Sequence, residues 1–112
     1  MIVLHITTRA AWEQAQGAYE APSLATEGFI HLSRPEQVVT VANARYSGQR
    51  DLVLLCIDPD RLEAQLKVEP GDDTDELFPH LYGALNVDAV FDVLPFPEGP
   101  EGFELPQLAS GT

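Results

Sequence analysis

The chain has 112 residues, 45% of them hydrophobic, and a formal net charge of −12. That length predicts one domain spanning residues 1–112, and the composition supports a core without cross-links. A single cysteine, Cys56, excludes an internal disulfide, and no apolar run approaches the ~20 residues that span a bilayer.

The charge is unevenly placed. Residues 1–50 balance Arg9, Arg34, Arg45 and Arg50 against Glu13, Glu20, Glu27 and Glu36, whereas residues 51–112 hold Arg61 and Lys67 against 14 acids. An acidic surface repels phosphate backbones, which makes nucleic acid an unlikely partner. Cys56 lies in the apolar run Leu52 to Ile57 and reads as a buried, inert thiol. The start, Met1 to His5, carries no basic flank or cleavage pattern. These features predict a cytoplasmic protein with no membrane segment; they leave its oligomeric state open.

Residues 2–7 read as a strand with Ile2, Leu4 and Ile6 on one face and Val3, His5 and Thr7 on the other. The aliphatic face goes to the core, and His5 points to solvent or a cleft. Thr8 caps a helix over Arg9–Gln16 that stops at Gly17, with Trp12 and Ala15 packing on the sheet. An extended link, Ala18 to Pro22, leads to a short turn capped by Ser23 and ended by Gly28. Phe29–Ser33 is a second strand. Ser33-Arg34-Pro35-Glu36 fits a capping box, opening an amphipathic helix that runs to about Tyr46.

Leu52 to Ile57 is the length of a central strand covered on both faces. A short strand is expected around Leu66–Glu69, then an acidic loop, Pro70 to Glu76. Phe78 to Gly83 reads as an irregular aromatic segment because of Pro79. Asp88 to Leu94 is a late strand. The proline-rich end is coil with one short pairing near Phe103–Leu105, and residues 107–112 form a flexible tail. The fold class is α+β.

Histidine titrates near neutrality, so His5, His31 and His80 are the candidates for chemistry. No histidine pair has zinc-motif spacing, so no metal is expected. G-x-S-x-G, Walker A and G-x-G-x-x-G are all absent. His5-Ile6-Thr7 and His31-Leu32-Ser33 repeat one pattern, an imidazole followed by an aliphatic and a hydroxyl. On neighbouring strands they would form a polar site for ribose hydroxyls or phosphate oxygens, with Thr7 and Ser33 as ligand-binding hydroxyls. The helix start at Ser33 adds free amides for an anion. His80, between Phe78 and Tyr82, sits where a ring could stack. Asn86 fixes a turn or touches ligand. Asp92 and Glu104 are late carboxylates, catalytic or merely solvated. The plainer alternative is that the histidines are structural.

The motifs Leu4-His5-Ile6-Thr7, Glu27-Gly28-Phe29-Ile30-His31-Leu32-Ser33 and Phe78-Pro79-His80-Leu81-Tyr82-Gly83-Ala84-Leu85-Asn86 resemble the bacterial and plant family called domain of unknown function 952, over about residues 2–106. That family shares its fold grouping with the ADP-ribosyltransferases and, more faintly, resembles the RNA 2′-phosphotransferases. The resemblance implies a small split β-sheet with two main helices and NAD or a related nucleotide in the cleft between the halves. His5 then matches the first-strand histidine that contacts a ribose, and His31 the second-strand position. A late-strand glutamate finds no match; Arg45 and Arg34 are the candidates for the phosphotransferases' arginines. The implied function is a nucleotide-binding enzyme with His31, His5 and His80 as catalytic residues and a nucleotide-like small molecule as partner. The alternative is a non-catalytic module binding a small molecule or a protein on the same scaffold, or architectural histidines with function at an interface.

Overall fold

The computed structural model describes residues 2–108. Its elements run β1 (Val3–Thr8), α1 (Arg9–Glu13), β2 (Ala18–Tyr19), α2 (Pro22–Glu27), β3 (Ile30–His31), α3 (Pro35–Arg45), β4 (Leu52–Ile57), β5 (Gln65–Pro70), β6 (Leu77–Tyr82), β7 (Leu85–Asn86), β8 (Val90–Pro95), β9 (Glu98–Gly99) and β10 (Gly102–Phe103). Single 3-10 turns at Pro59–Arg61 and Val87–Ala89 complete the list. The class is α+β, with the β-structure split into two three-stranded antiparallel sheets, the distant two-residue pair β2–β7 and the short β9–β10 hairpin.

The first sheet has the order β1-β4-β8. All six residues of β4 are buried, as expected of a continuous apolar run. Two clusters flank the sheet. Val3, Val53, Leu55 and Ile57 join Tyr19, Ile30, Leu81 and Leu85 on one side, with Trp12 and Ala15 packed against them. Leu4, Ile6, Leu54 and Cys56 join Val38, Ala42, Phe96 and Phe103 on the other. Both faces of β1 are therefore buried, and His5 lies under cover rather than facing solvent.

The second sheet has the order β3-β6-β5. β6 is a regular strand, which corrects the expectation of irregularity at Pro79. The Pro79 carbonyl accepts from Leu32 N at 3.0 Å on the β3 side. In an antiparallel ladder a residue's nitrogen points the same way as its carbonyl, so the missing N–H falls beyond the two-residue β3 and spares the β5 pairing. One bridge joins the sheets: Leu4 and Ser33 exchange N–H···O bonds of 2.8 Å each.

Three local expectations change. The two main helices reduce to one, the 11-residue α3, because α1 is only five residues long. Ser33 is not the cap of α3. That position falls to Arg34, whose backbone N–H is satisfied by the Gln37 carboxamide at 3.0 Å, with Pro35 in the first turn. Ser23 does not cap α2 either; its hydroxyl donates to the Phe29 carbonyl, and α2 ends at Gly28 with φ 89°. Of the expected tail, Leu108 packs on the second cluster, and residues 109–112 lie outside the described residues.

Candidate functional site

Two adjoining lobes open along β1, and the second reaches the second sheet. The first, of about 730 Å³, is lined by His5, Thr7, Tyr19, His31, Tyr46 and Gln49 among others. The second, of about 290 Å³, includes Glu27, His31, Ser33, Arg45, Asp72, Phe78 and His80. His31 and Tyr46 border both lobes.

His5 is held from both ends. Its Nδ1 lies 2.8 Å from the His31 carbonyl and its Nε2 lies 3.0 Å from the Tyr19 hydroxyl. A carbonyl only accepts, so Nδ1 carries the proton. Burial pushes the His5 pKa down to about 4, so near neutral pH Nε2 is a bare acceptor for the Tyr19 O–H hydrogen bond. The Thr7 hydroxyl, 2.9 Å from Tyr19, then donates to the phenol oxygen. Burial raises the Tyr19 pKa, consistent with a phenol that keeps its proton. The β2–β7 pairing places Tyr19 beneath β1. Both His5 nitrogens are thus committed to joining β1, β2 and β3.

His31 is different: 42% of its side chain is exposed. Its Nε2 lies 3.0 Å from the Glu27 carboxylate at the end of α2. In the β3–β6 register His31 stands opposite His80, with ring centroids 5.5 Å apart. The second sheet turns Ile30, Leu81 and Leu66 to the core, so alternation sends His31, His80, Phe78, Tyr82, Lys67 and Glu69 to the other face. Phe29 covers part of this face, stacked on His80 at 4.1 Å between centroids and edge-on to His31 at 4.8 Å.

His80 is buried, and its Nδ1 donates to Glu69 Oε1 at 2.9 Å. Tyr82 donates to the same oxygen, and Lys67 Nζ sits 4.8 Å above the Tyr82 ring. The Tyr82 and His80 bonds hold the Glu69 carboxyl below its usual pKa, and the Tyr82 phenol is raised by the same carboxylate. His80 Nε2 is buried without a partner. On the opposite wall of the cleft, burial raises the Tyr46 phenol, with the Arg45 charge offsetting part of the shift.

The cleft therefore gathers His5, Thr7, His31, Ser33, Arg45, Phe78 and His80 from the expected site. The paired hydroxyls diverge, Thr7 to the first lobe and Ser33 to the second. Tyr82 lies behind the cleft on Glu69. Asn86 stands apart: its carboxamide holds the Arg61 carbonyl, Glu63 N and Asp88. Asp92 accepts from Val93 N within β8, and Glu104 is exposed. Residues that sequence reasoning passed over are Tyr19, Phe29 and Glu69, together with Glu27 and Asp72, which gather around His31. One ligand-type atom from each of Glu27, His31 and Asp72 lies within 4.8 Å of the others. Glu27 and His31 stand four residues apart, a carboxylate–histidine spacing that a search for histidine pairs does not pick up.

These features define a small α+β protein with an open, two-lobed, histidine-bearing cleft. By sequence the chain belongs to the family of proteins of unknown function DUF952, whose profile matches residues 6–93. It is similar to the X-ray crystal structure of protein CC0527 from Caulobacter crescentus, at 34% identity and a TM-score of 0.82, with 92% of each chain covered. The solution NMR structure of the same protein gives a TM-score of 0.77 at 34% identity, covering 91% of this chain and 90% of that one. No curated protein matches the chain.

Proposed function

We propose that the chain binds NAD, ADP-ribose or a related nucleotide in the two-lobed cleft, on a scaffold of ADP-ribosyltransferase-like type. One observation carries the reading: half-exposed His31 stands where the lobes meet. A dinucleotide has two nucleoside halves joined by a pyrophosphate, and the first lobe alone is of ligand-pocket size. In this reading His31 and Arg45 orient ribose and phosphate oxygens, while Phe78 and Tyr46 offer ring faces. Any cleavage of a glycosidic bond would draw on positioning and electrostatics. The buried Cys56 thiol suits a reducing cytoplasm, where we place the protein.

Calorimetry with NAD, ADP-ribose and 2′-phosphorylated nucleotides tests this. Binding is expected with at least one of them, and His31→Ala should weaken it by roughly tenfold, the equivalent of one hydrogen bond to a charged group. No heat at millimolar ligand would overturn the proposal.

A second reading, binding without turnover, is favoured by His5. Its two nitrogens are already bonded to protein atoms, leaving neither for a substrate ribose. Release of stoichiometric nicotinamide from NAD during prolonged incubation would rule it out.

A further inference from the structure

We infer that the second lobe is a divalent transition-metal site, with Glu27, His31 and Asp72 as ligands and His80 as a fourth. The three outer groups come from the end of α2, from β3 and from the β5–β6 loop, and their ligand-type atoms lie within 4.8 Å of one another. One imidazole and two carboxylates are a donor set that suits zinc, manganese or iron, and two carboxylates match a dication in charge.

The second observation is independent of these exposed groups. His80 lines the same lobe, is only 3% exposed, and its Nε2 is buried without any hydrogen-bond partner. A buried polar atom left unpaired is costly and calls for a cause. With Nδ1 donating to Glu69, Nε2 is the nitrogen left to meet an ion. This is the arrangement of a metal-bound histidine, whose second nitrogen donates to a carboxylate that fixes the tautomer and orients the ring. Tyr82 in turn fixes Glu69.

The spacing of the rings agrees. A ligating nitrogen sits about 2 Å from zinc, so two imidazoles sharing one tetrahedral ion have centroids about 5 Å apart. The His31 and His80 centroids are 5.5 Å apart, edge to face. Binding the ion requires the Glu27 carboxylate to trade its contact with His31 for one with the metal, a rotation open to an exposed side chain. The ion would also neutralise Glu27 and Asp72 within the cleft, but the site stands or falls without any nucleotide.

The test titrates Zn²⁺ and Mn²⁺ into chelator-treated full-length protein by calorimetry, with no nucleotide present, and follows Co²⁺ binding by visible absorption. One equivalent is expected to bind with micromolar or tighter affinity for at least one ion. Co²⁺ should give the intense visible bands of low coordination number. Loss of a ligand should cost at least roughly tenfold in affinity, the lower bound seen even for groups behind the ligands. Asp72→Asn and His31→Ala should each do so, and Asp72→Asn alters only an exposed loop. Glu69→Gln should weaken binding too and shift the Co²⁺ spectrum, which a purely structural role would not do. Only millimolar binding, or tight binding unchanged in Asp72→Asn and His31→Ala, would overturn the site. An unchanged affinity and spectrum in His80→Ala would likewise overturn it, because His80 is the buried ligand on which the site rests. A nucleotide that fails to bind while Zn²⁺ binds would count against the nucleotide reading alone.

Discussion

His5 makes stability depend on pH at a single buried atom. The ring is neutral when folded, with its pKa lowered to about 4 from 6.5 by burial, and the His31 carbonyl bond offsets only part of that. Between those values the unfolded chain binds a proton that the folded chain refuses, so folding loses stability as pH falls from 6.5 towards 4. Above 6.5 the contribution is complete; below 4 it no longer changes. The shift corresponds to on the order of 3 kcal/mol. Thermal melts should show this slope in the native chain, and His5→Gln should flatten it within the same window. An equal slope in both would assign the effect to other groups. The sequence marked His5 and His31 as partners, and they are joined, but through the His31 carbonyl rather than through side by side imidazoles. That difference was not readable because Tyr19, which takes the other nitrogen, arrives by the pairing of β2 with β7. Cys56 was readable from its apolar neighbours. Burial, aided by Asp92, raises its thiol to about 11, so a disulfide reagent should react with it only after unfolding.

At the scale of elements, local signals succeeded where neighbours in sequence decide the outcome. Thr8 accepts from Ala11 N as a helix cap, and Gly28 closes α2 in the left-handed region. They failed where a distant strand decides. Ser33 matched a capping pattern, but its backbone is claimed by Leu4, which draws it into the bridge between sheets and moves the cap one residue on. Pro79 argued against a strand, yet its nitrogen points to the β3 side, beyond the end of that two-residue strand, and leaves the β5 pairing intact. Glu69 is on β5, opposite Phe78 in register, and only that pairing brings it to His80. The β9–β10 hairpin shows another such dependence. Gly102 has φ 107°, a Cβ there would come within 2.7 Å of Asn43 Oδ1, and that oxygen accepts from Phe103 N. Gly102→Ala should therefore cost about 1–3 kcal/mol through strain and a disturbed bond, measured by denaturant unfolding. A neutral result would mean that the hairpin end adapts freely.

Over the whole molecule, the α+β class and the central place of β4 follow directly from composition and periodicity, whereas the division into two sheets does not. β4 is the only strand whose six residues all read as buried, and it separates two apolar clusters among the described residues. Truncation at its centre should be felt on a large scale: Leu55→Ala, at a side chain with no exposure, should cost about 2–5 kcal/mol by denaturant titration. No helix of the described residues is long and apolar enough to cross a membrane. The histidine-bearing face belongs to the second sheet, so the cleft depends on the Leu4–Ser33 bridge that ties the two sheets together.

The position of β4 also bears on how fast the chain reaches this state. It pairs with β1 across the span from Val3 to Ile57 and with β8 across the span from Val53 to Pro95, so neither ladder of the first sheet is a local hairpin. Closing such loops costs entropy before any burial repays it. Refolding should run on the slower, millisecond-to-second scale of proteins dominated by distant pairings, and β1 should gain its protection against hydrogen exchange only as β4 docks.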